Sequence, residues 1–138
     1  MFYLNNADII PGKSIGEFYL GMCFADIQKR VHDFKIEDGE TCDILMCGDI
    51  RFWVDKEKDS CFQILVEGDF TGKYDNKIGL GTTLKDINKM GLEWYEDLDA
   101  YFIKGIDGIC LELGDTEDDE EWDELSAPIE TISVYAQK

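Results

Sequence analysis

The chain has 138 residues, 44% of them apolar and 12% aromatic, which is enough to build a hydrophobic core and excludes a chain disordered throughout. Thirteen Lys and Arg against 31 Asp and Glu give a formal net charge of −18, a field that repels phosphate backbones and anionic lipid, so neither nucleic acid nor a membrane is expected as a partner. No apolar run reaches the roughly 18–20 residues of a membrane span, and the stretch from Met1 to Asp8 lacks the basic start and apolar run of a signal peptide, so the expected location is cytoplasmic. Five cysteines (Cys23, Cys42, Cys47, Cys61 and Cys110) form no CxxC pair and are expected as buried free thiols. An acidic surface attracts basic proteins; it also serves plain solubility, and both readings stand.

Taken in chain order, the first periodic segment places Phe24, Ile27 and Val31 on one helical face. Strand patterns follow at Cys42 to Cys47, Ile50 to Val54 and Cys61 to Val66, with Gly48-Asp49 as a tight turn. A second helical segment carries Leu84, Ile87 and Met90, with Thr83 and Asp86 spaced as a capping box and Gly91 placed to stop the helix. Further strands are expected at Leu92 to Tyr95, Tyr101 to Lys104, Ile109 to Leu113 and Ile129 to Tyr135, with Asp107-Gly108 as a turn.

Leu20-Gly21-Met22-Cys23-Phe24-Ala25-Asp26-Ile27-Gln28-Lys29 aligns without gaps to Leu80-Gly81-Thr82-Thr83-Leu84-Lys85-Asp86-Ile87-Asn88-Lys89. The expected fold is therefore α+β: two tandem helix-plus-antiparallel-meander repeats, about 12–68 and 72–138, whose short helices pack on one face of an antiparallel sheet. They form one domain, 1–138. The last strands of the two halves match at a larger offset, which leaves an acidic loop insertion at 114–128 in the second.

That insertion holds Asp115, Glu117, Asp118, Asp119, Glu120, Glu121, Trp122, Asp123 and Glu124, and these are the candidate partner-binding residues. An aromatic ringed by carboxylates suits an anchor toward which a basic surface is steered; Trp122 folded back as a clamp for its own loop suits the pattern equally. Asp115, Glu117, Asp119 and Glu121 alternate as calcium ligands do, but the glycine and spacing of an EF-hand are missing, so only weak, nonspecific cation binding is expected. No catalytic residue, metal site or cofactor is assigned: His32 is the only histidine, and Pro11-Gly12-Lys13-Ser14 lacks the first glycine of a phosphate loop. The aromatic group of Phe52, Trp53, Phe62, Trp94, Tyr95, Tyr101 and Phe102 reads as mostly core, with one sheet face left as a second binding surface.

The starts Leu20-Gly21-Met22 with Asp26-Ile27, and Leu80-Gly81-Thr82-Thr83 with Asp86-Ile87, resemble those of small tandem α+β modules such as the beta-lactamase inhibitory protein and the outer-membrane-assembly lipoproteins of similar architecture. In size, acidity, free cysteines and lack of a catalytic set, the chain also resembles the immunity proteins of bacterial polymorphic toxins, including contact-dependent growth inhibition systems. That second resemblance implies a non-enzymatic cytoplasmic protein that neutralises a cognate basic toxin, a nuclease above all, by 1:1 binding. The alternative is a non-catalytic adaptor or self-associating module whose acidity serves solubility.

Overall fold

A computed structural model describes residues 8–114 and 123–136. In chain order the elements are β1 (Asp8–Ile10), β2 (Ser14–Ile15), β3 (Phe18–Tyr19), α1 (Phe24–Arg30), β4 (Lys35–Asp38), β5 (Cys42–Cys47), β6 (Ile50–Asp55) and β7 (Ser60–Val66). They continue with β8 (Lys73–Tyr74), α2 (Leu84–Lys89), β9 (Trp94–Asp97), β10 (Ala100–Ile103), β11 (Ile106–Leu113) and β12 (Ile129–Tyr135).

The expected α+β arrangement of two helix-plus-meander repeats is overturned. The protein is mostly β, 46% strand against 11% helix, and is dominated by one eight-stranded antiparallel sheet in the order β4-β5-β6-β7-β12-β11-β10-β9. A second sheet, β3-β2-β1-β8, is built from strands of two or three residues, too short to show a period-two pattern in sequence. Strand β4, Lys-Ile-Glu-Asp, is exposed at all four positions and carries no apolar alternation either. The two helices hold only seven and six residues. The first gives way to extended backbone at Val31, and Gly91 follows the second at φ +82°.

Register decides what is buried. Leu45, Phe52, Ile64, Val134 and Ile109 lie opposite one another in a row across five strands, each with no exposed surface. The neighbouring row is Cys47, Ile50, Val66, Ile132, Leu111 and Tyr101, also buried. Onto this face the small sheet brings Ile9, Ile15 and Phe18, and the helices bring Ile27, Leu84 and Ile87, all within one core cluster. Phe18 meets Phe52 with ring centroids 4.8 Å apart, and each such buried side chain contributes about 1.5–3 kcal/mol.

The Gly48-Asp49 turn joins β5 to β6 as expected from sequence. Asp107-Gly108 is not a turn: it lies inside β11, and the chain reverses at Lys104-Gly105 instead. Gly108 serves a close approach, since a Cβ there would stand 2.4 Å from the Gly12 amide nitrogen. All five cysteines are free, but only Cys47 and Cys61 are buried; Cys23, Cys42 and Cys110 are half-buried. Among the described residues no helix is long and apolar enough to cross a membrane.

Candidate functional site

Two short backbone ladders set the site. Gly21 N–H donates to Cys61 O (2.8 Å) and Cys61 N–H to Met22 O (2.8 Å), tying the chain before α1 to the start of β7. Gly81 N–H donates to Ile129 O (2.9 Å) and Ile129 N–H to Thr82 O (2.9 Å), tying the chain before α2 to the start of β12. A cleft opens beside each ladder. The one at the first is lined by Asp55 and Lys58, one charge of each sign.

The cleft at the second ladder, about 650 Å³, carries four carboxylates, Asp49, Glu67, Asp69 and Glu130, over an apolar floor that includes Phe70 and Leu80. Asp49 is held in place: it accepts from Asp69 N–H (3.0 Å), and its carbonyl accepts from Glu67 N–H (2.9 Å). Glu67 pairs with Arg51 Nε at 3.1 Å. Asp69 and Glu130 are exposed and, among the described residues, have no cationic partner. Neither histidine nor cysteine lines the cleft, and no cluster of three metal-ligating side chains occurs among the described residues. The chemistry this offers is attraction of a cation rather than nucleophilic attack.

The acidic loop springs from this same end of the sheet. Its neck is closed by Gly114 N–H donating to Pro128 O (2.9 Å), and a Cβ on Gly114 would come 3.2 Å from Glu130 Oε2. Of the candidate residues, Asp115, Glu117, Asp118, Asp119, Glu120, Glu121 and Trp122 lie outside the described residues. Asp123 and Glu124 are placed, and both are engaged internally. Asp123 accepts from Ser126 Oγ (2.6 Å) and its carbonyl from Ala127 N–H (2.9 Å), which folds the returning chain into a turn. Glu124 accepts from the Tyr101 hydroxyl at 2.8 Å. Burial, and next this bond, raise the Tyr101 phenol above its ordinary value.

The far face of the large sheet divides the aromatic group that sequence assigned mostly to the core. Phe52 and Tyr101 point into the core, while Glu37, Ile44, Trp53, Gln63 and Tyr135 form a row on the opposite side. Phe102 and Tyr95 extend it, stacked at 5.3 Å and 18°. Trp53, Phe102 and Tyr135 are half-buried and Tyr95 is 47% exposed. No helix or second sheet lies on this face among the described residues. Strand alternation alone shows that two faces exist, but not which one the rest of the chain covers.

Searches against protein-family models, curated proteins and solved structures return no significant match to this chain.

Proposed function

We propose that this chain is a cytoplasmic immunity protein that neutralises a cognate basic toxin, most simply a nuclease domain, by direct 1:1 binding without catalysis. The observation that carries the reading is the convergence of negative charge at one end of the sheet. Among the described residues Asp69 and Glu130 have no cationic partner in the cleft, the loop bearing Asp115 to Glu124 leaves beside them, and the whole chain carries −18. Such a surface takes the place of a nucleic acid in a basic groove and speeds encounter with it. The test is a pull-down with tagged protein at low and at physiological salt, followed by assay of what is retained. A basic protein whose nuclease activity is abolished at one equivalent supports the reading; a partner that is not basic, or whose activity is unchanged, refutes it.

A second reading has its own observation. Edge strands β4 and β9 expose four of four and three of four residues, leaving backbone for strand addition. An adaptor or self-associating module of this kind binds with little salt dependence, and sedimentation at rising protein concentration shows whether the chain self-associates.

A further inference from the structure

The geometry points to the sheet face that no described helix or second sheet covers, centred on Trp53 and Tyr135 and continued by Phe102 and Tyr95, as the docking surface for an arginine-bearing patch of a basic protein partner. The inference rests on the proposed function and names the part of this molecule that makes the close contact.

The row runs from Ile44 on β5 to Tyr95 on β9, across seven adjacent strands. At about 4.8 Å per strand that is roughly 29 Å, the breadth of an interface burying about 800 Å² per partner. Gly108 stands opposite Tyr135 if the register of Ile109 and Val134 is continued by one residue, and the Tyr135 hydroxyl hydrogen-bonds to its backbone, which carries the aromatic row across β11 toward the Phe102–Tyr95 stack. Carboxylates border the aromatics: Glu37 shares their row, Asp97 follows Tyr95 on the same side of β9, and Glu112 accepts from the Thr131 hydroxyl (2.8 Å) on that face. Among the described residues the cations there are Lys35, Arg51 and Lys104, of which Arg51 is paired with Glu67 and Lys104 with Glu93.

Charge selects the occupant. A second copy of this chain would bring −18 against −18, whereas a basic surface is attracted. Arginine fits better than lysine, because its planar guanidinium stacks on an aromatic face while its N–H groups reach a neighbouring carboxylate.

The experiment is an amide-resolved NMR titration of the full chain with a capped deca-arginine peptide, and separately with deca-lysine, at low salt. The expected result is saturable shifts at Trp53, Phe102, Tyr95 and Tyr135, with deca-arginine the tighter ligand by about three- to tenfold. Trp53→Ala with Tyr95→Ala, its fold checked by the same spectra, is expected to weaken deca-arginine about tenfold and to leave deca-lysine nearly unchanged. Shifts confined to the cleft around Asp69 and Glu130 or to residues 114–128 overturn the docking face while leaving the basic-partner reading intact. Equal affinity for the two peptides, or for wild type and the double variant, overturns it too. Absence of binding by either peptide counts against both.

Discussion

Tyr101 joins the core to the acidic loop through a hydrogen bond, its hydroxyl donating to Glu124. Removing that hydroxyl in Tyr101→Phe is expected to cost about 1–2 kcal/mol in urea unfolding, because the acceptor is charged and partly buried. The phenol is raised in the folded state, first by burial, so its stabilisation is complete below the ordinary tyrosine value of about 10 and is lost as pH rises toward the folded value. Wild type should therefore lose more stability than Tyr101→Phe between about pH 9 and 11, read from urea midpoints. At Cys61, burial pushes the thiol up to about 12. Its thiolate is scarce at neutral pH, so iodoacetamide should label the half-buried Cys23 and Cys42 well before Cys61, as peptide mass spectrometry would show.

Among the elements, the two helices are capped in different ways. In α2, Asp86 N–H donates to Thr83 Oγ1 (3.1 Å) and Thr83 N–H to Asp86 Oδ2 (3.1 Å), the reciprocal pair that the Thr83–Asp86 spacing announces in sequence. Thr83→Ala should lower stability by about 1 kcal/mol in chemical denaturation. In α1 the Cys23 side chain makes no cap, and Phe24 N–H instead donates to Asp59 Oδ1 (3.0 Å) from the β6–β7 turn. No local pattern announces that bond, because its partners stand 35 residues apart. In β11, Gly108 has φ +87° and Gly12 N–H donates to its carbonyl at 3.0 Å. Gly108→Ala should cost on the order of 3 kcal/mol, or prevent folding, since both φ and the Gly12 backbone oppose a Cβ. Gly105→Ala has open space around its Cβ and a φ of +83°, and should cost only about 1–2 kcal/mol. Thermal unfolding of the two variants makes the comparison.

For the whole molecule, charge and topology act together. The −18 is spread through the sequence, but folding gathers Asp49 of the β5–β6 turn, Glu67 and Asp69 just after β7, and Glu130 near the start of β12, and sets them beside the neck of the acidic loop. If this end steers a basic partner, Asp69→Asn with Glu130→Gln should slow association severalfold at low salt and leave dissociation nearly unchanged, because steering acts mainly on encounter. Stopped-flow mixing with the partner recovered by pull-down measures both rates, and an unaltered association rate excludes the cleft from steering.

The sequence alone determined the strands of the large sheet that carry alternating or continuous apolar residues, the α2 capping box, the Gly48-Asp49 turn and the strong negative charge, each of which depends on neighbours within a few residues. It did not determine the mostly β class: β1, β2, β3 and β8 are two or three residues long and β4 has no alternation, so none of them shows a period in sequence, and β8 is a strand only because β1, about 65 residues earlier, pairs with it. Only the tertiary structure decided which sheet face the helices and the small sheet cover, and thereby sent Phe52 inward and left Trp53 outside. Adjacent residues on a strand point to opposite faces, and which face becomes core is a property of what packs on it rather than of the strand itself.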